Sequence, residues 1–146
     1  MHLKYLVTLI LIIMVVTACS SSEVRIIEEG IEGYVMLIEN GTLIYDGLFE
    51  KKELQQVIDF HNNATYVSSL NKDQLTEPDP LEEELSGSTF NIVMDEFRKV
   101  TLEYQANDLF KVIYEEEQKG YTIRSEDLYI FLKIVKATET SKSDGN

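Results

Sequence analysis

Tyr34-Val35-Met36-Leu37-Ile38-Glu39-Asn40-Gly41-Thr42-Leu43-Ile44-Tyr45 decides the fold class. Two β-prone runs flank Asn40-Gly41, the dipeptide that best tolerates the positive φ angles of a two-residue hairpin turn. An antiparallel hairpin is therefore expected here. Upstream, Val24 to Ile27 reads as one further strand, with Gly30 and Gly33 breaking the run before the hairpin. Downstream the period changes at Glu50. Leu54, Val57, Ile58 and His61 fall at i, i+3, i+4 and i+7, which predicts an amphipathic helix ending near Asn62 and Asn63, its apolar face broadened by Phe60.

The stretch from Ser68 to Ser88 is polar, contains Pro78, Pro80 and the run Glu82-Glu83-Glu84, and reads as a long surface loop. Strand periodicity then resumes. Thr89 to Met94 and Val100 to Tyr104 alternate, Leu109 to Tyr114 is a continuous β-prone run, and Tyr121 to Ile123 follows the turn at Lys119-Gly120. Four antiparallel strands are expected in this half. Ser125 offers an N-cap oxygen, Glu126 and Asp127 place negative charge in a first turn, and Lys133 and Lys136 place positive charge late, so the last element is a helix. Leu128, Phe131, Leu132 and Val135 form its apolar face, widened by Ile130 and Ile134. This order predicts an α+β fold, a mostly antiparallel sheet packed by two helices. Residues 24–137 form one domain in this reading, and 138–146 is a frayed polar tail.

The 146 residues carry 13 basic and 26 acidic side chains, a formal net charge of −13. That excess disfavours nucleic acid and anionic surfaces as partners, since both repel it within a Debye length of ~8 to 10 Å. Catalytic chemistry is poorly provided. His61 lies on the apolar face of the first helix, and Asp59, two residues away, points to a different side and cannot orient it. Ser86-Gly87-Ser88 lacks the context of a nucleophile elbow, and no catalytic residues are assigned. No metal site and no cofactor is expected, because the ligand sets and glycine-rich phosphate loops that would hold one are missing. Glu77, Asp79, Glu82, Glu83 and Glu84 could offer oxygens to calcium, but the EF-hand order is absent; they read first as a solvated loop and second as a surface for a basic partner.

The amino-terminal residues have a separate logic. Lys4 is followed by an apolar run of about a dozen residues from Leu6 to Val16, shorter than the ~20 residues a spanning helix needs. The run ends in Val16-Thr17-Ala18-Cys19, which resembles the lipobox of bacterial lipoproteins, with Val16 where leucine is usual. The resemblance implies cleavage of residues 1–18 as a signal peptide and acylation of Cys19, the chain's one cysteine, as a membrane anchor. A diacyl group would supply the two chains that stable attachment requires. Cleavage there leaves 128 of the 146 residues and, by removing Lys4, a formal charge of −14. The lipidated tether spans 19–23. Ser20, Ser21 and Ser22 reach only on the order of 10 Å, which holds the domain close to the bilayer.

Phe49 to Phe60, the strands from Phe90 to Tyr114, and Tyr121-Thr122-Ile123 leading into the helix from Ser125 resemble the YhfM-like group of small Gram-positive lipoproteins. That resemblance implies a cell-envelope domain at the extracytoplasmic face of the membrane and carries over no catalytic residue. The expected function is non-enzymatic binding of an envelope protein or peptide. The alternatives are an inhibitor or immunity module that uses its acidic surface, and a carboxylate-based envelope hydrolase.

Overall fold

Asn40 and Gly41 adopt φ of 50° and 81°, the left-handed conformations that a two-residue hairpin turn demands. They join β1 (Glu32–Glu39) to β2 (Thr42–Leu48) in antiparallel register. In the computed structural model, which describes residues 23–76 and 83–143, this hairpin is one end of a seven-stranded antiparallel sheet. The remaining strands are β3 (Thr65–Ser69), β4 (Thr89–Val93), β5 (Lys99–Ala106), β6 (Leu109–Tyr114) and β7 (Lys119–Arg124), in the spatial order β2-β1-β4-β5-β6-β7-β3. The α+β class expected from the sequence is the class observed.

Strand alternation gives the sheet one apolar face. Val35, Phe90, Leu102, Val112 and Tyr121 stand side by side across five strands, and Tyr104, Phe110 and Ile123 form the next row. Helices α1 (Lys51–Asn62) and α3 (Glu126–Ser143) cover this face. Leu54, Val57 and Ile58 of α1 and Leu128 and Leu132 of α3 are buried against it. Burial of each such side chain contributes about 1.5–3 kcal/mol. Phe131 binds the layers together, with ring centroids 5.9 Å from Phe90, 6.1 Å from Phe60 and 6.1 Å from Phe49. The start of each helix is marked locally: the Glu53 carboxylate accepts the Glu50 N–H at 2.9 Å, and Ser125 Oγ accepts the Leu128 N–H at 3.2 Å.

Four expectations need correction. Val24 to Ile27 forms no strand, because Asn62 satisfies the backbone that a ladder would have used. Its Oδ1 accepts the Ile27 N–H at 2.9 Å, and its Nδ2 donates to the Ile27 carbonyl at 2.8 Å. The 68–88 stretch is not wholly loop. It begins inside β3, which pairs with β7, and continues into a short helix α2 (Lys72–Thr76) whose entry is held by reciprocal bonds between Asn71 and Gln74. The helical count is accordingly three among the described residues rather than two. The polar tail begins later than Thr138, since α3 runs on to Ser143. Thr138 and Thr140 hydroxyls donate to the carbonyls one turn back, and Lys142 pairs with Glu139 at 2.6 Å. The leader 1–18, Cys19 and residues 144–146 lie outside the described residues.

Candidate functional site

Of the acidic candidates, Glu77, Asp79 and Glu82 lie outside the described residues. Glu83 and Glu84 are bonded within the domain. Glu83 accepts the Tyr104 hydroxyl and, at 3.0 Å, the Asn107 N–H. Glu84 accepts from Lys136 Nζ, which also donates to Glu39. The Lys136 bond holds the Glu84 carboxyl below its usual range, while the two carboxylates raise Lys136. These contacts tie residues 83–84 to the hairpin and to α3. Beside them, a cavity of about 650 Å³ is lined by Leu85, Tyr104, Tyr129, Lys133 and Ala137. Tyr104 and Tyr129 stack at 5.5 Å, and Lys133 lies 5.2 Å from the centroid of Tyr129.

His61 is fully buried at the end of α1, at the head of a hydrogen-bonded chain. Its Nδ1 is 3.0 Å from Asn62 Oδ1, which can only accept, so Nδ1 carries the proton. Burial depresses the imidazole pKa from 6.5 to about 4, leaving it neutral, and its Nε2 therefore accepts from the Tyr121 hydroxyl at 3.1 Å. Tyr121 in turn accepts from the Tyr114 hydroxyl at 3.3 Å and from the Arg25 N–H at 3.1 Å. Burial raises both phenols above their ordinary values. Arg25 stacks 4.7 Å above the Tyr114 ring and pairs with Glu117 at 2.5 Å, a bond that raises its own pKa.

Arg25, Tyr114 and Tyr121 line a cleft of about 560 Å³ together with Tyr66, Leu70, Leu75 and Lys119. The chemistry of this group is structural. The imidazole has neither exposure nor a free nitrogen with which to move a proton, and Asp59 is bonded to Gln55 at 2.9 Å rather than to His61. Sequence reading placed His61 on the buried face but missed its tyrosine partners. Tyr114 and Tyr121 converge only once the β6–β7 register is known.

Among the described residues no further strand pairs with β2 or β3, the two edges of the sheet, and these edges differ. β3 is five residues long, interrupted by an irregularity between Tyr66 and Ser68. β2 is seven residues long and contains no Pro or Lys and only one charge, Asp46. Leu43, Ile44 and Leu48 are 54%, 45% and 71% exposed along it. Leu43 and Leu48 lie opposite Ile38 and Tyr34 of β1, which extends an apolar strip onto the open sheet face. Natural edge strands are usually blunted by charge, proline or brevity. On β2 such protection is limited to Asp46 and to the irregularity in its pairing with β1 at Leu37/Ile38.

Among the described residues, no group of three or more His, Cys, Asp or Glu side chains is placed to hold a metal ion, and no helix is long and apolar enough to cross a membrane. Comparison with protein families, curated proteins and solved structures returns no match, so the functional reading rests on the residues themselves.

Proposed function

We propose that this chain is a membrane-anchored cell-envelope lipoprotein whose single domain binds an extended segment of another envelope protein, without catalysing a reaction. The open β2 edge carries the binding reading. An extended partner segment laid beside Thr42–Leu48 would satisfy its outward backbone groups, while Leu43 and Leu48, brought to one face by the pairing irregularity between them, would supply apolar contact. The sealed His61–Tyr121 chain supports a binding role over a catalytic one. The lipobox resemblance at Val16–Cys19 supports the envelope address.

Site-specific photo-crosslinking from position 43 in the native host tests the edge. The expected result is one heterologous adduct that the second substitution Leu48→Lys removes while leaving the melting temperature within a few degrees. Adducts only to a second copy of this chain, or an adduct insensitive to Leu48→Lys, would refute partner binding at β2. Intact-mass analysis of the same material tests the address: Cys19 is expected to be acylated and amino-terminal, and an unmodified cysteine with the leader attached refutes it.

A further inference from the structure

Among the described residues, the four most exposed large apolar side chains are Phe97 at 76%, Leu48 at 71%, Ile31 at 68% and Ile26 at 61%. All four lie at one end of the sheet. At that end β2 and β4 finish and β1 and β5 begin: Leu48 closes β2, Ile31 immediately precedes β1 and donates its N–H to Val93 at 2.8 Å, and Phe97 sits in the β4–β5 turn. Residues 23–31 cross the same end from the β6–β7 turn toward β1, with Ile27 turned into the core and Ile26 turned out. Ile26 shares a shallow hollow with Met94 and Arg98, which links it to the Phe97 turn.

The turn that presents Phe97 is braced. Asp95 Oδ1 accepts the N–H groups of Phe97 and Arg98, each at 2.9 Å, and Asp95 Oδ2 accepts Arg98 Nε at 2.5 Å. A phenylalanine held outward on a stapled turn gives up no packing made within the domain and loses little conformational freedom when it is buried elsewhere. Its position relative to the tether names the occupant. With Cys19 acylated, the three serines between it and Glu23 reach only on the order of 10 Å, so the β7 side of this end, where Glu23 lies beside Tyr66 and Gly120, would be held near the bilayer.

We propose that the rim formed by Phe97, Ile26 and Ile31 is a membrane-docking surface that inserts into the headgroup region of an electrically neutral lipid layer. This rests on the anchored reading above. The attraction is apolar rather than electrostatic, because the same end carries Glu115, Glu116 and Glu117 in the β6–β7 turn, which anionic headgroups repel. Docking fixes the orientation of the domain. The sheet end that carries Phe97 faces the lipid, and the Asn40-Gly41 turn, at the other end of the β1–β2 hairpin, points away from it.

The chain contains no tryptophan, so Phe97→Trp and Leu43→Trp each create a single reporter, the first on the rim and the second near the opposite end. Each mature protein, its acylation state established by intact mass and its fold by circular dichroism, is placed on phosphatidylcholine vesicles carrying brominated acyl chains. The expected result is a blue-shifted reporter at position 97, quenched at least threefold more than the one at position 43. Without the acyl group, Phe97→Ser lowers vesicle partition of the protein roughly tenfold, the effect of removing one phenylalanine from the interface. Equal quenching at 97 and 43 in acylated protein overturns the docking surface while leaving the anchor intact. Preferential quenching at 97 in protein prepared without the acyl group supports the surface independently of the anchor. Stronger partition onto phosphatidylglycerol than onto phosphatidylcholine overturns the apolar account.

Discussion

Acid should destabilise this domain well above the range in which its carboxylates titrate, and His61 is the reason. The unfolded imidazole takes up a proton near pH 6.5, whereas the folded one, desolvated in the core, takes it up only near 4. Between those values the unfolded chain binds more protons, so stability is fully present above about pH 6.5 and falls as the pH drops toward 4. At on the order of 1.4 kcal/mol per pH unit, about 2 kcal/mol is lost by pH 5 and about 3 kcal/mol by pH 4. Against a total of ~5–15 kcal/mol for a domain, that loss is large. Asn62, which accepts from Nδ1–H, works the other way but is outweighed by burial, while Tyr121 donates to Nε2, Tyr114 stands behind Tyr121, and Arg25 adds positive charge nearby. Glu117, Glu84 and Asp95, held below their ordinary values by Arg25, by Lys136 and by the Phe97 N–H, lose their contributions at lower pH. The window from 6.5 to 5 therefore isolates the histidine, the only one in the chain after position 2. Urea midpoints measured at half-unit pH steps should decline through this window in the native protein and stay level in His61→Gln. An imidazole that titrates near 6.5 by nuclear magnetic resonance, or native midpoints that stay level from 6.5 to 5, would refute the argument.

Asn62→Ala should cost about 1–3 kcal/mol, because it leaves both backbone groups of Ile27 and the Nδ1–H of His61 without their partner; proteolysis after Arg25 should accelerate if the clamp works as described. Gly33→Ala places a methyl group 2.6 Å from Leu54 Cδ1 and 3.1 Å from the Asn91 carbonyl, and is expected to lower the unfolding free energy by about 1–3 kcal/mol in denaturant titrations. Gly41→Ala forces a side chain into φ of 81° and should cost about 1 kcal/mol without changing the sheet signal in circular dichroism. Lys136→Ala, by contrast, breaks pairs to Glu39 and Glu84 that are open to water, so a shift of its melting temperature beyond a few degrees would contradict the geometry.

The elements that could be read in advance are those whose cause is local. Asn40-Gly41 sets the hairpin through two backbone angles, Leu54, Val57, Ile58 and His61 mark the buried side of α1 by spacing alone, and Ser125 announces α3 with its own side chain. β3 escaped notice because Thr65–Ser69 is mostly exposed and gains its strand character by pairing with β7 on the far side of the sheet. Val24–Ile27 misled in the opposite sense. Its residues prefer strands, yet a side chain from α1 occupies the backbone positions that a strand partner would have taken.

Local chemistry thus dictated the turn, the two long helices and the central strands, since each depends on residues within a few positions of one another. Strand order, the union of His61 with Tyr121 and Tyr114, the bonding of Glu83 and Glu84 within the domain, the position of β2 at an edge and the apolar rim around Phe97 arise from contacts between residues tens of positions apart. Periodicity reports which face of an element is buried; it carries no term for which element lies against that face. Only chain closure, through register and packing, supplies one.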